Sequence, residues 1–123
     1  MKRDLDLVRK ILLACEEEPG TWAPEEFKFD GYTKEQIGFH LHLMGQAGLL
    51  RTQDFANGGS LSAIPIAMTW EGYEFLEAAR NEGNWQKVKA AAQTSGGFVL
   101  SAMKEVLLKL AAAALSEQLG LKA

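Results

Sequence analysis

Apolar residues return every three or four positions near the start of the chain, at Leu5, Val8, Ile11, Leu12 and Cys15. That spacing places them on one stripe of a helix over residues 3–17. Arg3, Arg9 and Lys10 fall off the stripe and are expected in solvent. Pro19-Gly20 ends the helix. In the next stretch, "TWAPEEFKFDGY" at 21–32, Phe27 and Phe29 alternate with Glu26, Lys28 and Asp30. The alternation predicts a small strand with both phenylalanines inward, then a turn at Asp30-Gly31. A short helical turn over part of the segment is the other reading.

Thr33 followed by Gln36 has capping-box spacing. It starts a second helix over residues 34–47, which Gly48 stops. Ile37, Leu41 and Met44 share its buried face, flanked by His40 and Ala47. The opposite face holds Glu35, Phe39, His42, Leu43 and Gln46. Residues 49–52 read as a strand, "NGGS" at 57–60 as a turn within a longish loop, and "LSAIPIAMT" at 61–69 as the returning strand. Pro65 belongs on an unpaired edge. Thr69 caps a third helix that reaches about Arg80, with Trp70, Tyr73, Phe75, Leu76 and Ala79 as its apolar face. "NEGNW" breaks the pattern, and Trp85, Val88 and Lys89 begin a further short helix. "TSGG" at 94–97 reads as a linker. Phe98, Met103, Val106, Leu107, Leu110, Ala114 and Leu115 then mark a last amphipathic helix over 98–119.

The pattern describes a mainly α chain with a small β-hairpin, an α+β protein. Helix, short strand, helix ending in Ala-Gly-Leu-Leu, hairpin, helix is the order of a winged helix-turn-helix domain, here with additional C-terminal helices. A hairpin is marginal alone and finds stability by packing beside helices. The expected organisation is a winged-helix domain over 1–93, a Gly-rich linker over 94–97, and a C-terminal helix over 98–123 that joins the same core or pairs two copies.

The 123 residues suffice for one such core. A net charge of −3 argues against a broadly basic coat for nucleic acid. The single cysteine, Cys15, makes no internal disulfide and suits a reducing, cytoplasmic setting. The apolar C-terminal stretch is broken by Lys104, Glu105 and Lys109, so no membrane span is expected.

The stretches "MKRDLDLVRKILLACEE", "GYTKEQIGFHLHLMGQAGLL" and "MTWEGYEFLEAARNEGNWQKVK" together resemble the family catalogued as domain of unknown function 2513. The resemblance covers nearly the whole chain. It implies a winged-helix fold and a short, phage- or prophage-type protein, and it brings no activity or catalytic residue to carry over.

Candidate chemistry is sparse. His40 and His42 are two apart on a helix and point about 200° apart, so they do not share a metal. His40 borders the buried face and reads as a hydrogen-bonded core histidine; a Cys15–His40 nucleophile pair is the sharper but weaker alternative. Glu16-Glu17-Glu18 reads as a solvated helix end. Neither "NGGS" nor "TSGG" has nucleotide-loop spacing. No enzyme, cofactor or metal is expected.

Two binding readings stay open. In the first, a transcriptional regulator places helix two in the major groove of double-stranded DNA. Thr33, Lys34, Gln36, Phe39 and His42 then face the DNA, and Arg51, Gln53 and Asn57 touch its backbone from the hairpin. Each of these residues also has an ordinary surface role to set against that. In the second, a protein-interaction module uses Phe39 and Leu43 on helix two toward a host protein. Met103, Val106, Leu107 and Leu110 on the last helix add a surface for homodimerisation.

Overall fold

The computed structural model describes residues 1–94 and, beyond them, residues 105, 106, 109, 110, 112, 113, 116 and 119. Over residues 1–94 the elements are, in order, α1 (Leu5–Glu17), α2 (Lys34–Gln46), β1 (Leu50–Asn57), β2 (Ser60–Met68), α3 (Trp70–Ala79) and α4 (Glu82–Thr94). The chain is mainly helical with one antiparallel hairpin, an α+β protein. It divides into two compact units, Met1–Tyr73 and Glu74–Ala123, with the boundary inside α3.

The expected stripe of α1 is buried in full, and Leu7 joins it. Asp4 caps the helix: its carboxylate accepts from the Leu7 N–H at 3.2 Å. Arg3 and Lys10 are exposed, while Arg9 is half-buried. The expected strand over 21–32 does not form, and no helix or strand lies between Glu17 and Lys34. Phe27 is buried but Phe29 only half-buried, so the alternation describes one inward phenylalanine and not two. A single ladder-like bond, Ala23 N–H to Ile66 O at 2.8 Å, ties the segment to β2. The turn at Asp30-Gly31 is present, closed by Tyr32 N–H to Phe29 O.

Helix α2 begins with the full capping box: Thr33 Oγ1 accepts from Gln36 N–H, and Gln36 Oε1 accepts from Thr33 N–H. It ends in a Schellman motif. Gly48 N–H donates to Gly45 O and Leu49 N–H to Met44 O, with Gly48 at φ 78°. That backbone conformation favours glycine.

The hairpin is longer and its loop tighter than expected. Pairing runs from Leu50↔Met68 to Asn57↔Ser60, which leaves a two-residue turn at Gly58-Gly59. Their φ values of 59° and 87° fit a type I′ turn, the kind whose twist matches paired strands. The register slips between Arg51 and Thr52, so Ile66 opposes no residue of β1 and its carbonyl is the one that meets Ala23. Pro65 sits beside that slip opposite Thr52; both strands of a two-stranded sheet are edge strands, where a missing N–H costs least.

Thr69 joins the ends of two helices. Its hydroxyl accepts from Gly72 N–H as the cap of α3 and donates to Gly48 O, while Thr69 N–H reaches Leu49 O. In the second unit, Phe75 and Trp85 are buried and meet edge-on at 6.1 Å. Asn81 caps α4 by accepting from Asn84 N–H. This helix runs thirteen residues, longer than the short one expected. Two members of the apolar face predicted for α3 are misplaced: Trp70 and Tyr73 are exposed, and Ala78 takes the buried side with Phe75, Leu76 and Ala79. The linker and most of the predicted last helix lie outside the described residues.

A Cβ at Gly72 would collide with the Leu49 carbonyl, a backbone atom that cannot swing away. Gly72→Ala is expected to cost about 1–3 kcal/mol. The loss should appear as a lower urea midpoint at unchanged m-value. Gly20→Ala, which meets nothing, should leave the midpoint in place.

Candidate interaction surface

Helix α2 is gripped from two sides. One stripe carries Ile37, His40, Leu41 and Met44, all buried, and His40 on it reaches the start of α1. Toward the hairpin it presents Gly38 and Gly45. A Cβ at Gly38 would sit 2.5 Å from Ser62 Oγ, and one at Gly45 would collide with Thr52 Oγ1. His42 lies at helical spacing between these glycines and is buried, against the expectation that it faces outward. Its Nδ1 lies 3.0 Å from Asp54 Oδ1 on β1, close enough for an ion pair but not lined up as a hydrogen bond.

His40 has both ring nitrogens occupied. Nε2 accepts from the Asp4 backbone N–H at 2.8 Å, and Nδ1 lies 2.7 Å from Gln36 O. An acceptor at Nε2 leaves the proton on Nδ1, which donates to that carbonyl. The other Asp4 carboxylate oxygen accepts from Tyr32 OH at 3.0 Å. One aspartate thus ties the start of α1 to α2 and to the segment before it. Partial burial, the hydrogen bond to Asp4, and the charges of Asp4 and Asp6 push the Tyr32 phenol up to about 12. Burial, and then the Glu18 carboxylate, push the Cys15 thiol up to about 11. A thiol held protonated is a poor nucleophile, and both His40 nitrogens are engaged elsewhere, so the Cys15–His40 pair is not assembled.

The remaining sequence-predicted residues divide. Thr33 and Gln36 spend side-chain oxygens on the capping box. Lys34, Arg51 and Gln53 are exposed; Phe39 and Leu43 are half-buried. Asn57 closes the turn through its place in the register. Of the residues expected to pair two copies, Val106 is exposed and Leu110 half-buried, while Met103 and Leu107 lie outside the described residues.

Sequence reading missed a groove of about 300 Å³ between the hairpin, the N-terminal half of α2 and residues 25–27. Its buried lining includes Phe27, Ile37 and Leu41. Phe55 and Ile64 flank it and remain 41% and 55% exposed. Glu25, Glu26 and Lys34 supply its charges. The available signal was the apolar run of β2, "SLSAIPIAM", which carries no charge at all. Asp4 was also missed, although an aspartate three residues before Leu7, just ahead of an apolar stripe, is an N-cap signature.

Among the described residues, no group of three or more His, Cys, Asp or Glu side chains could hold a metal ion. No helix among them is long and apolar enough to cross a membrane. The chain belongs to the family described as "Hypothetical protein (DUF2513)", whose model matches residues 2–98. An uncharacterized protein of Haemophilus influenzae is 34% identical over 110 residues, covering 86% of this chain and 92% of the relative. No solved structure matches the chain.

The raised thiol and phenol set a pH dependence. Each group keeps its proton longer in the folded state than in the unfolded chain, where the ordinary values are 9.0 and 10.0. Their contributions are complete below those values and are lost as pH rises toward about 11 and about 12. Chemical denaturation from pH 8 to 12 should show stability falling above about pH 9. Tyr32→Phe should flatten the upper part of the fall, and Cys15→Ala the lower part. A thiol-reactive dye at pH 8 should label Cys15 only upon unfolding.

Proposed function

We propose that this member of the DUF2513 family is a non-enzymatic protein-interaction module of winged-helix type, and that the hairpin with its groove is the binding face. One observation carries the reading. Phe55, Leu61 and Ile64 are exposed on a hairpin whose second strand has no charged residue. Solvated edge strands are normally guarded by charges, because bare apolar strands associate. An apolar groove flanked by Phe55 and Ile64 fits a side chain from a partner protein. The single buried thiol supports a cytoplasmic setting for that encounter.

A second reading, a winged-helix DNA-binding regulator of phage or prophage type, is favoured by the order of the elements and by exposed Lys34, Arg51 and Gln53. The outward stripe of α2 supports it less. That stripe holds Glu35, Phe39, Leu43 and Gln46 and no cation, whereas DNA affinity comes largely from cations on phosphates.

A photo-crosslinking amino acid at position 64, introduced in the cells that make the protein, tests the first reading. A discrete protein adduct is expected, lost on Phe55→Glu and retained on Lys34→Ala. No adduct would sink that reading. The second would then require duplex binding that weakens with salt, with Lys34→Ala and Arg51→Ala each lowering the salt slope by about 1.

A further inference from the structure

Helix α3 turns an aromatic pair outward. Trp70 is 75% exposed and Tyr73 42% exposed, although tryptophan is on average a highly buried residue. At 100° per residue Trp70 occupies the middle of the outward arc, with Tyr73 and Glu74 one turn along on either side and Glu71 at the edge. Arg80 donates to Glu77 at 2.9 Å and is engaged there. Among the described residues, no ion pair or hydrogen bond reaches the Glu71 or Glu74 carboxylate. The face therefore combines an open indole, a phenol, the exposed Glu71 and the half-buried Glu74, with no counter-cation among the described residues.

We propose that this α3 face binds an arginine-bearing segment of a partner protein. The guanidinium stacks on the Trp70 ring, where the π-face attracts a cation, and pairs with Glu74. Tyr73 flanks the stack, and Glu71 adds to the negative potential. Arginine fits better than lysine because its planar group stacks and forks onto a carboxylate at once. The same carboxylates repel phosphates, which disfavours nucleic acid and anionic lipid as occupants. The proposal does not depend on the hairpin groove.

The test is an NMR titration of the full chain, following the indole N–H signals of Trp22, Trp70 and Trp85. The probe is a capped Gly-Arg-Gly-Arg-Gly peptide, with a citrulline version that keeps the shape and removes the charge. The Trp70 signal, assigned by its loss in Trp70→Leu, is expected to move. The arginine peptide should bind about threefold more tightly than the citrulline one. That margin should shrink in the Glu71→Gln, Glu74→Gln double variant, vanish in that variant combined with Trp70→Leu, and persist in Ile64→Glu. A stationary Trp70 signal, equal binding of the two peptides, or a margin left undiminished in the double variant would each overturn the proposal.

Discussion

The close approach of the hairpin to α2 is the contact on which the first unit depends. A thirteen-residue helix has room for one buried stripe and a second, offset by about a third of a turn, against a sheet. Gly38 and Gly45 make the second stripe possible, because side chains there would displace Ser62 and Thr52. With the strands pressed onto those glycines, His42 is enclosed beside Asp54, and Ile37 and Leu41 become the buried lining of a groove. The glycines weaken the helix by roughly 1 kcal/mol each relative to alanine, so a packed hairpin must return at least that much.

The ends of α2 are fixed as firmly as its faces. A capping box closes its start and a Schellman turn its finish. Thr69 binds the carbonyl that follows that finish, so α3 starts where α2 stops. At the other side, Asp4 serves at once as helix cap, donor to His40 and acceptor for Tyr32. These are small groups with several partners each, and buried polar groups of this kind are costly to leave unpaired. They position the apolar surfaces without contributing much area themselves.

What was legible in the sequence follows from this division. Elements whose signal is local could be read: the α1 stripe, the Thr33–Gln36 box, the Gly48 stop, and a hairpin turn near Gly58-Gly59. Elements decided by a distant neighbour could not. The 21–32 segment has strand-like alternation, yet its only bond to the hairpin is the one from Ala23 to the Ile66 carbonyl that the slipped register sets free. His42 lies off the main stripe and becomes buried because a second face exists, which the two glycines hinted at. Trp70 and Tyr73 look like core by composition, and their exposure depends on which side of α3 Gly72 brings against Leu49. The groove is assembled from three separate stretches, so no local pattern announces it.

The distribution of apolar and charged surface separates the two functional readings more sharply than the fold does. A mainly helical fold with one hairpin serves DNA or protein equally well, and the choice rests on the side chains it displays. The exposed cations Lys34 and Arg51 are not on the outward stripe of α2, which carries an acid and two half-buried apolar residues. The hairpin and the first turn of α3 display Phe55, Leu61, Ile64, Trp70 and Tyr73, and Trp22 is a further exposed aromatic outside both. Tryptophan and tyrosine are enriched where proteins meet, and phosphate-binding surfaces are built from cations. A chain of net charge −3 that shows a tryptophan to solvent fits the proposed protein-binding reading better than the DNA-binding one.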